Sequence, residues 1–439
     1  MLKSIHKNER MGLTMCKDSK KVCFGAADIM LPDFNKTSGT KWAVIACDQF
    51  TSEKEYWESA EKEVGGHPST LSLMIPEVYL SETENRIPLV HSAMKEYESS
   101  VLTVHNDAMI YLERVQSDGR VRKGIIGVVD LEAYDYLKGA TSPIRATEGT
   151  VIERIPPRVA VRRDATLELP HVMLLIDDAE RKVIEPISDK TAEMELAYDF
   201  DLMLGGGHVR GYFIDKKAQK EICDALASLT TEDTMKEKYG EGVEAPLLFA
   251  VGDGNHSLAS AKAAYEEVKT KIGADAAKDH PARYALCEVV NLHDNALDFE
   301  PIYRVVFGAN GDDLINELKK YAEKLDGDAE KQDVLCIRGD SEEQIFFDRP
   351  VQQLAVGTLQ SFLDEYAKSH SGIEIDYIHG EDSLRALASA DDAVGFLFDG
   401  MSKDELFKTV IFDGALPRKT FSMGHARDKR YYLECRKIK

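Results

Sequence analysis

The chain has 439 residues, 43% of them hydrophobic and 30% charged, a composition that excludes a fibrous or low-complexity protein and allows two or three lobes. Its net charge of −22, from 77 acidic against 55 basic residues, opposes nucleic acid and anionic membranes as partners. Seven scattered cysteines (Cys16, Cys23, Cys47, Cys223, Cys287, Cys336, Cys435) are odd in number and lack paired spacing, which argues against a disulfide framework or zinc knuckle and for a reduced, cytoplasmic protein.

In chain order, the opening residues MLKSIHKNERMGLTMC are too charged for a secretory signal, and no later segment offers the roughly 20 apolar residues of a membrane span. Trp42–Ala46 reads as a strand and Glu53–Val64 as a helix, followed by strands at Ile125–Val129 and His171–Ile176. Gly205-Gly206-Gly207, ahead of His208 and Arg210, is a loop or a hinge. A helix over Lys217–Leu229 leads to the charged stretch Glu232–Gly242, where a boundary between lobes 1–240 and 241–439 is placed, one continuous domain being the alternative. Beyond it come strand Leu247–Val251, helix Leu258–Lys271, strand Tyr284–Leu292 and helix Asp313–Lys324. A hairpin, Asp333–Arg338 with Glu343–Asp348 around Gly339-Asp340, then precedes helix Val356–Lys368 and strand Gly395–Phe398. Strands alternating with helices predict an α/β protein, with α+β as the alternative: mixed sheets flanked by helices.

The sharpest local signal is Gly252-Asp253-Gly254-Asn255-His256-Ser257, between an apolar run and an amphipathic helix. Gly252 and Gly254 allow a tight turn, Ser257 can cap the helix, and the helix N-terminus favours an anion. A carboxylate at Asp253 repels phosphate unless it holds a bridging divalent metal or takes a proton, and His256 can donate to phosphate or move a proton. The plain alternative is a capped tight turn.

A second block runs Ile144-Arg145-Ala146-Thr147-Glu148-Gly149-Thr150, then Arg154 and Pro156-Pro157-Arg158. Arg145, Arg154 and Arg158 offer charged forks for phosphate, and Glu148 a general base; the alternative is a surface loop of ion pairs. In Lys41–Phe50 an apolar run ends in Cys47, Asp48 and Gln49. Asp48 and Gln49 are candidates for substrate contact, while Cys47 lacks a neighbour to lower its pKa and reads as a wall cysteine. His293-Asp294 makes a poor chelate and reads as a loop. The stretch Leu416–His425, with Lys419, either closes over an anion or forms a charged sheet edge.

Together KWAVIACDQFTSEKEYWE, IRATEGTVIERIPPR, GDGNHS and LPRKTFSMGHA resemble, in order and over nearly the whole chain, the domain of unknown function 1015 family. Many relatives carry Asp-Gly-His-His-Arg where this chain has Asn255 and Ser257 in place of a His and the Arg. The phosphate-binding cation must therefore come from Arg145, Arg154, Arg158 or Lys419. That loop is similar to the phosphate loop of the ParB and sulfiredoxin superfamily, which includes kinases of free serine. The resemblance implies a ParB/sulfiredoxin-like core within a larger two-lobed chain.

By that likeness Asp253 and His256 stand near a transferred phosphate, and Glu148 matches the carboxylate that activates the hydroxyl. Gly252, Gly254, Asn255 and Ser257 would cradle the phosphate, and Thr147, Asp48 and Gln49 would contact the substrate. The implied activity is phosphoryl transfer to a small hydroxylated metabolite, foremost free L-serine, from ADP, ATP or pyrophosphate. Mg²⁺ would be held partly by Asp253. A nucleotide-hydrolysing switch and a non-catalytic anion-binding protein are the alternatives, and a homodimer is compatible with either.

Overall fold

A computed structural model of the chain describes residues 14–16, 22–150, 152–243 and 245–439. Residues 1–13, read above for a leader, lie outside the described residues.

Eleven strands and the pair Thr14–Met15 make the larger, 12-stranded sheet. They are β1 (Phe24–Pro32), β2 (Leu102–Ala108), β3 (Ile110–Val115), β4 (Val121–Asp130), β5 (Tyr134–Asp135) and β6 (Ile144–Ala146). The set continues with β7 (Met173–Ile176), β8 (Glu195–Asp201), β9 (His208–Phe213), β10 (Phe249–Asp253) and β11 (Tyr284–Asn291). The order is β8-β9-β3-β4-β11-β7-β10-β6-β5, with β1 joining through β4 and β2.

A second sheet of six strands comprises β12 (Phe299–Phe307), β13 (Gln332–Arg338), β14 (Ser341–Phe347), β15 (Glu374–His379), β16 (Ala393–Leu397) and β17 (Phe421–Met423). Every pairing in it is antiparallel. Flanking both sheets are helices α1 (Lys54–Val64), α2 (Thr83–Ser100), α3 (Ile155–Arg163), α4 (Lys216–Ser228), α5 (Asn255–Ile272), α6 (Gly311–Lys324), α7 (Ala355–Ser369), α8 (Glu381–Ala388) and α9 (Lys403–Phe412). The architecture is mixed α/β, as the alternation of elements predicts.

Period-two burial divides the apolar runs between cores. In β4, Ile125 and Val129 pack with Phe249, Val251, Leu258 and Tyr265, whereas Ile126 and Val128 face Trp42 and Trp57. In β7, Leu174 and Ile176 join the first of these cores. Met173 and Leu175 point into a third core that also holds Val334, Phe396 and Leu406 of the second sheet and its helices. The two sheets therefore share buried surface, and the larger sheet crosses residue 240, since β10 and β11 belong to it. The boundary drawn there coincides with no sheet edge.

Two local expectations are corrected, and the Gly triplet takes the first of its two readings. Trp42–Ala46 is not one strand: Gly39–Trp42 forms a helical turn, and only Val44–Ile45 pairs as a strand, with Tyr431–Tyr432. The Gly triplet forms a packed loop in which Gly205 and Gly207 adopt positive φ and a Cβ on Gly206 would lie 2.2 Å from the Tyr431 hydroxyl. The cysteines are not all unpaired, since Cys16 is bridged to Cys223 on α4 across 207 residues of sequence, a pairing that linear spacing conceals. Among the described residues no helix is long and apolar enough to cross a membrane.

Candidate functional site

Sheet geometry gathers the site. β6 and β10 run parallel, so their C-terminal ends deliver Glu148 and Asp253 to the same edge. β7 runs antiparallel to β10 with Met173 opposite Asp253, which brings His171, just ahead of β7, to that edge too. The pairing of Val44–Ile45 with Tyr431–Tyr432 sets Asp48 and Lys429 beside them. A cleft of about 400 Å³ opens there, lined by Asp48, Thr51, Glu77, Glu148, Gly149, Arg158, His171, Asp253, Gly254, Asn255, His256 and Ser257.

The loop is built by its glycines. Gly254 has φ +79° and would place a Cβ 3.0 Å from the Val172 Cα, so both conformation and space demand glycine. A Cβ on Gly252 would lie 2.8 Å from Leu175 Cγ. Gly254, rather than Ser257, occupies the cap position of α5, and Ser257 lies within the first turn. Leu258 makes an α-helical bond to the Gly254 carbonyl at 3.0 Å, so the turn ahead of it directs its N–H groups to the cleft.

Asp253 Oδ1 accepts from the Gly254 N–H at 2.9 Å, and its Oδ2 lies 3.2 Å from Lys429 Nζ. Opposite stands Glu148, whose pKa is pushed up from the ordinary 4.5 to about 7, first by burial and then by the charge of Asp253. A backbone hydrogen bond from Lys419 and the charges of Lys429 and Arg304 pull the other way. Asp48 behaves oppositely. Burial would raise it, but His171, a hydrogen bond from Gln49 and Lys429 outweigh burial and hold its carboxyl below the usual range. The His171 ring is fixed from behind, with Nδ1 2.8 Å from the Tyr432 hydroxyl, while Nε2 lies 3.7 Å from Asp48 Oδ2. That hydroxyl also lies 3.2 Å from Cys47 Sγ. Burial, then Asp48, push the Cys47 thiol up to about 12, which agrees with its reading as a wall residue.

The structure thus brings Asp48, Glu148, Gly254, Asn255, His256, Ser257, Asp253 and Arg158 to one cleft, and leaves other candidates elsewhere. Arg145 is buried and donates to the carbonyls of Ser142, Ala245 and Pro246, so it pins loops and does not face the cleft. Thr147 is buried as well; its hydroxyl donates to the Val251 carbonyl at 2.6 Å and accepts from Asn255, joining β6 to β10 and α5 instead of meeting a substrate. Gln49 lies behind Asp48, to which it donates at 3.0 Å. Lys419 contributes its backbone, while its ammonium stands 5.1 Å from the centre of the Tyr377 ring. The side chain of Arg154 lies outside what is described. Arg158, within α3 instead of a loop, is paired with Glu77 at the cleft wall.

Sequence reasoning missed Glu77, His171, Tyr432 and Lys429. Lys429 sits in the short basic run Arg427–Arg430, next to the buried Arg430. His171 precedes a recognised strand that runs antiparallel to β10, so its amino end meets the edge where β6 and β10 finish. Facing carboxylates on Asp253 and Glu148, with Asp253 raising Glu148, fit a bridging divalent cation. Oδ1 of Asp253 accepts one hydrogen bond and Oδ2 is ion-paired with Lys429, so both keep lone pairs.

The family described as protein of unknown function (DUF1015) matches residues 32–390. The chain belongs to the DUF1015 family. The matched span holds Asp48, Glu148, His171 and the 252–257 loop, whereas Lys429 and Tyr432 of this DUF1015 chain fall beyond it. No curated protein matches. Among solved structures, a free serine kinase in complex with AMP is 10% identical, with 71% of this chain and 91% of that one covered and a TM-score of 0.35. SbnI with a C-terminal truncation, from Staphylococcus aureus, is 11% identical over 68% and 82%, at 0.32. A conserved hypothetical protein from Pyrococcus furiosus is 10% identical over 71% and 94%, at 0.33. At such scores no residue role is carried across.

Proposed function

We propose that the cleft transfers a phosphoryl group to a small hydroxylated metabolite, with free L-serine as the acceptor and ADP, ATP or pyrophosphate as the donor. The observation that carries this reading is Glu148, a carboxyl poised near neutrality that faces the N-terminus of α5 across a small cleft. A general base of that pKa takes a hydroxyl proton at physiological pH and returns it to solvent. The acceptor oxygen then forms a bond to the donor's terminal phosphorus as the bond to the leaving phosphate oxygen breaks.

The cleft is acidic, with Asp48, Glu77, Glu148 and Asp253 against Arg158. That balance disfavours a bare polyanion. It suits an amino-acid ammonium beside the ionised Asp48 and a donor whose charge is partly neutralised. Mg²⁺, held through Asp253 together with donor oxygens, would supply that neutralisation. Lys429 and the leading turn of α5 meet the remaining negative charge.

The test is incubation of the protein with L-serine and Mg²⁺ against each of the three donors, assayed for phosphoserine. Wild type should form it with at least one donor, and Asp253→Asn should fold but lose turnover at least a hundredfold. Absence of product with every donor, or full activity in Asp253→Asn, overturns the proposal. Donor hydrolysis without phosphoserine would favour the nucleotide-hydrolysing switch.

A further inference from the structure

Far from the cleft in the fold, on the face of the second sheet's helices, three side chains converge in a way the proposed reaction does not use. Asp313 and Glu317 stand one turn apart on α6, and His370 caps the C-terminus of α7. Their ligand-capable atoms all lie within 4.8 Å of one another. His370 Nε2 is 3.8 Å from Asp313 Oδ2 and 4.0 Å from Glu317 Oε1.

The other side of the imidazole decides what this means. Nδ1 lies 3.0 Å from the Tyr366 carbonyl, and the ring stacks on Tyr366 with centroids 3.8 Å apart and an interplanar angle of 14°. The Ser369 hydroxyl also lies 3.1 Å from Nδ1, so the ring is held from the α7 side and Nε2 is the nitrogen that faces both carboxylates. Two carboxylates and one imidazole nitrogen thus converge on a common point. Among the described residues no lysine or arginine comes within 4.0 Å of either carboxylate.

We infer that Asp313, Glu317 and His370 form a binding site for one divalent first-row transition ion, with Zn²⁺ as its representative, that clips α6 to α7. Ligand bonds of roughly 2.0–2.2 Å put tetrahedral donors about 3.4 Å apart; the present separations of 3.8 and 4.0 Å to His370 Nε2, and of at most 4.8 Å overall, are closed by rotation of the exposed Asp313 and half-exposed Glu317 side chains. One nitrogen with two carboxylate oxygens prefers Zn²⁺, Co²⁺ or Mn²⁺ over Mg²⁺, which demands oxygen ligands. The anchored Nδ1 supplies the orientation that metal-bound histidines share. A fourth position faces solvent and takes water.

The test titrates ZnCl₂ into the metal-free wild-type protein by calorimetry, beside His370→Ala and Asp313→Asn, with MgCl₂ as the control ion. Wild type should bind one Zn²⁺ that both variants bind at least tenfold more weakly, and Zn²⁺ should raise the melting temperature of wild type alone. Both substitutions sit at exposed or half-exposed positions, and circular dichroism checks that they fold. Cysteine binding is separated by Co²⁺ spectra, which should show ligand-field bands without thiolate charge transfer. Equal Zn²⁺ affinity in His370→Ala, or Mg²⁺ binding as tightly as Zn²⁺ and weakened to the same extent by His370→Ala, overturns the inference.

Discussion

At the scale of single residues, Asp48 and Glu148 illustrate how one cleft separates two carboxyls of similar intrinsic acidity. Asp48 has His171, Gln49 and Lys429 against it and stays ionised, whereas the half-buried Glu148 is desolvated and faces Asp253, and rises to about 7. A base must be deprotonated, so turnover should climb with pH up to a plateau above about 7, and Glu148→Gln should abolish that limb together with turnover. Stability runs the other way. A folded pKa above the unfolded 4.5 means that the folded state holds the proton more tightly. The stability contributed by protonated Glu148 is full below 4.5 and is lost as pH rises through about 7. Glu148→Gln, which keeps the neutral form, should unfold like wild type at pH 4.5 but be more stable by about 1–3 kcal/mol at pH 8. Urea denaturation at the two pH values checks this, and equal stabilities at pH 8 would contradict the burial of that charge.

At the scale of elements, the loop before α5 fixes where the helix dipole points, and Gly254 is the residue that permits it. Gly254→Ala places a side chain at φ +79° and 3.0 Å from backbone, so it should cost about 1–2 kcal/mol from conformation alone and more from overlap. Gly252→Ala has no φ strain but meets the buried Leu175 Cγ at 2.8 Å, so it should destabilise by overlap alone. Urea midpoints of the two variants decide, and a Gly254→Ala midpoint equal to that of wild type refutes the strain. These elements also mark what the sequence makes legible. Helix α5, β10 and β11 were readable because their apolar period extends over many residues and Gly or Pro bounds them. Trp42–Ala46 misled because an apolar run says nothing about whether it turns, and here a helical turn ends inside it. Helix α2 carries Pro88 internally and a weak apolar face, and its pattern does not announce it. Glu148 and Asp253 were found from local chemistry, whereas Lys429, Glu77 and His171 reach the cleft only through strand pairing between distant segments. Arg145 shows the converse: a guanidinium near a suspected site in sequence is consumed by carbonyls once the strands pair.

At the scale of the whole molecule, the segment from Asp428 to Ile438 runs back alongside elements of the N-terminal half, pairing with Val44–Ile45, Met30 and Leu167–Glu168. Arg430 is buried against Glu288 and Glu434, and Arg436 against Glu168. The Trp42 indole donates to the Leu433 carbonyl across 391 residues of sequence, and the Cys47 N–H donates to the Tyr432 hydroxyl across 385. Met30 and Cys435 likewise exchange backbone bonds of 2.8 and 2.9 Å. The cleft wall is therefore closed by contacts between the most distant parts of the chain, and such contacts form slowly because a very long loop must close first. During refolding from urea, helical ellipticity should recover well before the environment of Trp42, and ligand binding should return only with the latter. Stopped-flow traces in which all three signals rise together would argue against this order. A protein built this way has a checkpoint in its own assembly: the groups that would handle a reactive phosphate come together only after the rest of the chain has found its place.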